Sequence, residues 1–163
     1  YRNCVFVGKD EGGVPRSAFQ RGCQGTYRGD VTGSQKKYGF LMQAENPDCD
    51  TVELYEAPID AMSGATLRQY TDIGKWRSVH YLALGGLNYL PIDYFLQQHQ
   101  QVKNVVLCFD RDEPGLRFAE TVAQRLAERG FNVEKRLPAV GKDYNESLIW
   151  YKSKIEKQRG ERV

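Results

Sequence analysis

From residue 52 onward, short apolar runs alternate with segments of helical periodicity, and this rhythm constrains the fold more than any other feature of the chain. Four runs have the length and residue types of strands, at 52–56, 79–84, 105–109 and 132–137, and a helical segment follows each of them. Strands and helices in this order form parallel sheets with right-handed crossovers. The sequence therefore predicts an α/β fold in which helices flank a parallel sheet.

The first 45 residues have a different pattern. Strand-like runs at 4–7 and 17–20 flank a turn at 10–13, which is typical of a hairpin, and another short run spans 38–42. We therefore predict a small antiparallel β subdomain over residues 1–45, a linker at Glu45–Asp50, an α/β domain over residues 50–150 and a basic tail over residues 151–163. Because the chain begins at Tyr1 in a strand-like run, we expect it to be a segment of a longer protein.

Net charge, hydropathy and cysteine spacing bear on whether the chain binds nucleic acid, a membrane or zinc. A net charge of +2 is too small to indicate a nucleic-acid-binding protein by itself, and no apolar run is long enough to span a membrane, so we expect no membrane partner. The four cysteines contain no C-x-x-C pair, and the two histidines complete no zinc pattern. Two disulfides are one option. A free buried thiol is simpler for Cys108, which lies in an apolar run, and a cytoplasmic location fits this best.

Carboxylates follow three of the predicted strands. Because the carboxyl ends of parallel strands meet at one edge of a sheet, we expect these side chains to lie close together. Crowded carboxylates repel one another unless a cation neutralises them, and Mg²⁺ or Mn²⁺, which prefer oxygen ligands, suit such a set better than zinc. The carboxylates at this edge are Glu56, Asp60, Asp110, Asp112, Asp143 and Glu146.

Each charged group also has a purely structural interpretation. Asp112 can cap the helix that Pro114 opens, and the helix dipole favours Asp60 in a first turn. The basic residues between 16 and 37 and those of the tail can neutralise phosphates or simply form a solvated surface. The joint placement of acids at three strand ends favours a metal site over these separate explanations.

Four motifs resemble those of the Toprim domain family, in particular the catalytic core of bacterial-type primases. Residues 56–63 (EAPIDAMS) resemble the first motif, in which a glutamate closes a strand before a helix, although Ala57 stands where primases have glycine. Residues 84–86 (LGG) resemble the glycine turn after the second strand. Residues 109–115 (FDRDEPG) resemble the Asp-x-Asp motif, and residues 141–146 (GKDYNE) are similar to the late acidic motif of primases. The motifs lie between about residues 52 and 148, in the family's order.

This resemblance implies a Rossmann-like Toprim sheet preceded by the small β subdomain, as in primases and in Toprim proteins of plasmids and conjugative elements. It implies a nucleotidyltransferase that depends on Mg²⁺ or Mn²⁺ and makes primers from nucleotides on single-stranded DNA. Replication or transfer-complex proteins are possible partners. The implied catalytic residues are Glu56, Asp110 and Asp112, with Asp60 and Asp143 as further metal ligands.

The resemblance also gives the basic residues candidate roles. Lys142 and Arg111 would hold phosphate, unless they are solvated loop charges. The template would run along the β subdomain, over Arg21, Arg28, Lys36 and Lys37. Two alternatives stay open beside primer synthesis: a Toprim nuclease that uses the same metal site, and a nucleic-acid-binding module without catalysis.

Overall fold

Eight strands and four helices make up residues 2–160, the part of the chain that the structure, a computed structural model, describes. The strands are β1 (Asn3–Lys9), β2 (Pro15–Gly22), β3 (Arg28–Asp30), β4 (Phe40–Met42), β5 (Thr51–Tyr55), β6 (His80–Ala83), β7 (Asn104–Cys108) and β8 (Asn132–Lys135). The helices are α1 (Pro58–Thr71), α2 (Leu90–Gln98), α3 (Glu113–Glu128) and α4 (Tyr144–Gly160), and a short 3₁₀ helix spans Trp76–Ser78.

A five-stranded sheet forms the centre of the fold, in the order β4–β6–β5–β7–β8. The strands β6, β5, β7 and β8 are parallel to one another, and β4 is an antiparallel edge strand against β6. The predicted α/β fold with a parallel sheet flanked by helices is confirmed. All four strands predicted from the alternating pattern are present and in the sheet.

Helices cover both faces of this sheet, so its central strands are buried on both sides. Val52 and Leu54 of β5 pack on one face in a core that includes side chains of α2 and α3. Tyr55 points to the other face, where the core includes Ala61 of α1 and Tyr144 of α4. This double coverage explains why the strands are nearly continuous apolar runs in the sequence.

A buried carboxylate interrupts the core on the α1 side. Glu53 is only 2% exposed, and its carboxylate accepts hydrogen bonds from the Tyr55 hydroxyl at 2.7 Å, from Arg136 at 2.6 Å and from Arg68. Two arginines and a hydroxyl therefore satisfy this charge within the fold. Glu53 lies away from the carboxyl edge, and its role is structural.

A second, small sheet is formed by β1, β2 and β3 in antiparallel order. Asp10 holds the hairpin turn between β1 and β2, because its carboxylate accepts from the backbone N–H groups of Gly12 and Val14 at 3.0 and 2.9 Å. The predicted hairpin is thus confirmed. The sheet contacts the larger one through an edge-to-face pair of Phe6 and Phe40, whose ring centroids are 5.5 Å apart.

The run at 38–42 does not belong to the small sheet, so that part of the prediction is wrong. Its strand, β4, pairs with β6 in the register Phe40–Ala83 to Met42–Tyr81. The segment Glu45–Asp50 therefore connects two strands of the larger sheet. A strand of three residues is too short for its sequence pattern to show which sheet it joins, and for β4 this depends on the long-range pairing with β6. The boundaries proposed at residues 1–45 and 50–150 stay predictions.

The cysteines are all free. Cys49 and Cys108 are buried, as expected for Cys108, whereas Cys4 and Cys23 are exposed on the small sheet with their sulfur atoms 3.7 Å apart. The basic tail continues α4 as far as Gly160, and its last three residues, 161–163, lie outside the described part. None of the helices within residues 2–160 is long and apolar enough to cross a membrane.

Candidate active site at the carboxyl edge of the sheet

The carboxyl ends of β5 and β7 bring the first two acidic groups to one edge. Tyr55 pairs with Cys108 at the end of the parallel ladder; Glu56 is the next residue after Tyr55, and Asp110 is the second residue after Cys108. The glycine turn after β6 holds the backbone here, because the N–H of Gly86 donates to the carbonyl of Glu56 at 3.0 Å. Ala57 adopts φ −123° and ψ 154°, an extended conformation open to any L-residue, so the family's glycine is not needed at this position.

The turn between β7 and α3 places Asp110 and Asp112. Asp112 is the N-cap of α3, with its Oδ1 accepting from the backbone N–H of Gly115 at 2.9 Å. Gly115 packs directly beneath the turn: a Cβ at this position would lie 2.4 Å from the carbonyl oxygen of Asp110. The capping interpretation of Asp112 is therefore confirmed. The cap uses only Oδ1, so Oδ2 can accept from another group.

Lys142 closes the site from the loop before α4. Its Nζ lies 3.0 Å from Oδ2 of Asp112 and 3.4 Å from Oδ2 of Asp110. The two loops are also joined through the backbone, since the N–H of Arg111 donates to the carbonyl of Lys142 at 2.7 Å. One ammonium group thus lies against both carboxylates.

Two further carboxylates, Asp60 and Asp143, lie at the start of α1 and of α4. Asp60 is buried, and its Oδ1 accepts from the N–H of Asn145 at 3.2 Å. Asp143 is placed just before α4 and its Oδ1 accepts from the N–H of Glu146 at 2.7 Å, as a helix cap does. Burial and the nearby charges of Asp143 and Asp110 raise the pKa of Asp60 to about 7.

The pKa values show that the acidic groups share one electrostatic environment. Burial, reinforced by the charges of Asp110 and Asp112, raises the pKa of Glu56. Burial also raises the pKa of Asp110, although Lys142 opposes the shift. The pKa of Asp112 is lowered by the hydrogen bond from Gly115 and by Lys142. Such mutual repulsion between desolvated carboxylates favours a bound cation.

The predicted basic residues lie in different settings. The guanidinium of Arg111 donates to the carbonyl of Pro138, so this side chain braces the loop between β8 and α4. Lys36 pairs with Asp30 of the small sheet. The ammonium of Lys37 lies over the rings of two tyrosines, 4.9 Å from the centroid of Tyr38 and 5.0 Å from that of Tyr94.

Arg21 and Arg28 are exposed and stand directly opposite each other across β2 and β3. The charge of Arg28 also opposes the rise in the pKa of Glu56, which puts this end of the small sheet within electrostatic reach of the carboxyl edge. The two arginines therefore form an exposed basic pair, of which Arg28 is the member near the acidic site.

Asp110 and Asp112 fit a hard divalent cation by the chemistry of their donors. They offer oxygen atoms alone and already share a cationic partner, the ammonium of Lys142. Within residues 2–160, no three carboxylate, imidazole or thiol groups stand close enough together to hold a metal ion by themselves. Mg²⁺ does not need such a cage, since it is commonly held by one or two carboxylates with water and substrate phosphate as the other ligands.

Glu146 has a role that the sequence alone did not predict. Its Oε2 accepts from the N–H of Lys142 at 2.7 Å, which fixes the backbone of the loop that carries Lys142. Gly141, with φ +77°, makes the sharp turn before it. The spacing of Asp143 and Glu146 resembles a capping box and was the available signal for this role.

Two family models match the chain. The model of a family described as Toprim-like matches residues 53–148, and that of a family described as a protein of unknown function matches residues 1–47. No curated protein sequence matches the chain.

Two solved structures share the fold. The primase fragment of the bacteriophage T7 primase-helicase protein superposes with a TM-score of 0.62 at 20% identity, covering 94% of this chain and 60% of that one. The zinc-binding and RNA polymerase domains of the Aquifex aeolicus primase superpose with a TM-score of 0.60 at 18% identity, covering 96% of this chain and 39% of that one. The chain thus spans 60% or less of each of these structures.

Proposed function

The chain belongs to the Toprim-like family, and we propose that it is a magnesium-dependent nucleotidyltransferase of the primase type, which joins nucleotides on a single-stranded DNA template. The observation that carries the proposal is the placement of Asp110 and Asp112 around one cationic group, beside a desolvated Glu56. The two primase structures add support through their fold, which is all that the chain is shown to share with them at 20% and 18% identity.

In this proposal Asp110 and Asp112 hold Mg²⁺ or Mn²⁺, with Asp143 or Asp60 as a further ligand. When bound, the ion stabilises negative charge on the attacking and leaving oxygens of a phosphoryl transfer. The cap hydrogen bond from Gly115 fixes the orientation of Asp112 and leaves Oδ2 available for a cation.

Glu56 takes the proton of the attacking hydroxyl or serves as a metal ligand. Its pKa is raised by burial and by the charges of Asp110 and Asp112. A carboxyl with a raised pKa is a stronger base when ionised, so this environment suits proton transfer. A cation bound by the two aspartates would oppose this rise.

Lys142 provides a phosphate contact at the mouth of the site, where its side chain is 53% exposed. We assign Arg111 a supporting part in the same contact, since one of its donors is already occupied by the carbonyl of Pro138. The single-stranded template follows the small sheet over Arg21, Arg28, Lys36 and Lys37. We place the activity in DNA replication or in the transfer of a plasmid or conjugative element.

An incorporation assay tests the proposal. The chain is incubated with a single-stranded DNA template, Mg²⁺ or Mn²⁺ and nucleotides, one of them labelled, and oligonucleotide products are resolved by length. We expect template-dependent products with the wild type and at least about a 100-fold loss with Asp112→Asn, which removes a charge that acts on the transition state. Glu113→Gln is the matched control, because Glu113 is an exposed neighbour paired with Arg117.

The same reactions separate the alternatives. Shortening of an end-labelled template by the wild type but not by Asp112→Asn would indicate that the same site is a nuclease and not a nucleotidyltransferase. Template binding without any metal-dependent product would leave a non-catalytic binding module. Either outcome contradicts the proposed transferase.

A further inference from the structure

We propose that Lys142 is an internal counter-cation of the metal site: its ammonium neutralises Asp110 and Asp112 in the metal-free protein and would swing toward the substrate phosphate when a divalent cation is bound there. The inference rests on the proposed function, because it takes Asp110 and Asp112 as metal ligands. It adds that metal and Lys142 compete for the same carboxylate oxygens.

The geometry supports competition rather than a shared site. Nζ of Lys142 contacts Oδ2 of Asp112 at 3.0 Å and Oδ2 of Asp110 at 3.4 Å. Oδ1 of Asp112 is already used by the helix cap, so Oδ2 is its remaining acceptor for a cation. A metal ion on these two oxygens would lie within a few ångströms of the ammonium, and two cations so close repel each other.

Side-chain exposure shows that Lys142 has more room to move than Asp110. The Lys142 side chain is 53% exposed, whereas that of Asp110 is 13% exposed. The ammonium of Lys142 therefore lies on the solvent side of the carboxylates, where a cation and a phosphate would also enter. The four-carbon stem of lysine lets the charge move while the main chain stays in place.

The main chain at Lys142 is fixed on both sides. Its N–H donates to Glu146 at 2.7 Å, and its carbonyl accepts from the N–H of Arg111 at 2.7 Å. Displacement would thus reorient the side chain alone. The released ammonium would remain beside the metal, close to the phosphate that the metal binds.

Two consequences distinguish this role from that of a permanent phosphate ligand. Removing the charge of Lys142 should tighten metal binding, because the competitor is gone. The same change should weaken phosphate binding only when metal is present, because without metal the ammonium is occupied by Asp110 and Asp112. If Lys142 were instead a permanent phosphate ligand, its removal would weaken phosphate binding equally in both conditions.

Calorimetric titration with Mn²⁺ tests the first consequence on the wild type and on Lys142→Met. We expect the dissociation constant for Mn²⁺ to fall about 3- to 10-fold in the variant, as for the removal of a partly screened charge at contact distance. Lys142→Arg keeps the charge and should restore an affinity near that of the wild type. Lys135→Met is the matched control, because Lys135 also pairs with a carboxylate, that of Glu120, away from the site.

Titration with adenosine monophosphate, in EDTA and in saturating Mn²⁺, tests the second consequence. Lys142→Met should change the affinity less than about 2-fold in EDTA and weaken it about 10-fold with Mn²⁺, as expected when a charge-assisted hydrogen bond is removed. Unchanged or weaker Mn²⁺ binding in Lys142→Met, or equal weakening of nucleotide binding in both conditions, would overturn the inference. Asp110→Asn separates it from the proposed function: if this variant binds Mn²⁺ as the wild type does, the metal site itself is wrong.

Discussion

Asp112 caps a helix and contacts a cationic group at the same time. Its Oδ1 caps α3 through Gly115, while its Oδ2 contacts Lys142. A carboxylate has two oxygens, so a helix cap and a cation contact do not exclude each other. The sequence could not separate the two interpretations, because both require an aspartate at this position.

Other side chains could not be placed from the sequence. The guanidinium of Arg111 turns to the carbonyl of Pro138, and Lys36 pairs with Asp30. Both contacts join segments that are distant in the chain or lie on opposite sides of a turn. Charge and position in a loop predicted the surroundings of these residues but not their partners.

Asp60 provides a prediction at the same scale. Its pKa in the folded protein is raised from 3.8 to about 7, mainly by burial. Between pH 4 and 7 the unfolded carboxyl is ionised while the folded one still holds its proton, so folding becomes less favourable as pH rises through this window. In metal-free buffer, we expect this carboxyl to lower the unfolding free energy of the wild type by an amount on the order of 3 kcal/mol between pH 4 and 8. Asp60→Asn should lack this contribution.

Urea unfolding at pH 4.5 and pH 8 in EDTA measures this difference. Comparison with Asp60→Asn is necessary because the pKa values of Glu56 and Asp110 are raised as well and contribute with the same sign. An identical pH dependence in the variant and the wild type would show that Asp60 ionises normally in the fold.

At the scale of elements, the alternation of strands and helices predicted most of the fold. The strands of the parallel sheet have apolar residues on both faces, and α3 has a regular apolar stripe that includes the buried Val122 and Leu126. The sheet to which β4 belongs could not be predicted in this way, because β4 has three residues and pairing with β6 decides its place. Local periodicity predicts that an element exists, whereas its neighbours depend on the rest of the chain.

The turn between β7 and α3 gives a second prediction. Replacing Gly115 by alanine would normally favour a helix, because alanine has the higher propensity. Here the added Cβ would lie 2.4 Å from the carbonyl oxygen of Asp110. We therefore expect Gly115→Ala to lower the unfolding free energy by about 1–3 kcal/mol and to weaken Mn²⁺ binding, since the Asp110–Asp112 turn must shift.

Thermal unfolding and calorimetry on the same samples check both effects. Gly29→Ala is the control, because a Cβ at Gly29 has no heavy atom within 4 Å outside its chain neighbours. A Gly115→Ala variant as stable as the wild type, with unchanged metal affinity, would show that the turn does not depend on this close approach.

At the scale of the whole molecule, the small sheet lies beside the carboxyl edge of the large one. Phe6 packs on Phe40, and the hydroxyl of Tyr94 in α2 donates to Glu11 of the hairpin turn. This packing brings Arg28 near enough to influence Glu56. Both sheets could be predicted from the sequence, but their arrangement depends on contacts between residues that lie far apart in the chain.

This arrangement makes the exposed pair Arg21 and Arg28 the most direct test of the template path. Replacing both with glutamine should weaken binding of single-stranded DNA and reduce the slope of log K against log salt by about 1.4, or about 0.7 for each phosphate that is no longer neutralised. Fluorescence anisotropy with a labelled oligonucleotide at several salt concentrations measures the slope. Lys135→Gln is the control, and an unchanged slope in the arginine variant would place the template elsewhere.

Metal binding at the carboxyl edge is the property on which the proposed function depends, and electron paramagnetic resonance of Mn²⁺ tests it most directly. Free Mn²⁺ is titrated into the wild type, Asp110→Asn and Glu113→Gln, each with a single-stranded oligonucleotide present, and Mg²⁺ is then added as a competitor. We predict saturable binding by the wild type and Glu113→Gln, displacement by Mg²⁺, and at least about a 10-fold decrease in affinity in Asp110→Asn, since a charged ligand is removed. The absence of saturable binding to the wild type, or equal binding by Asp110→Asn, would contradict the account.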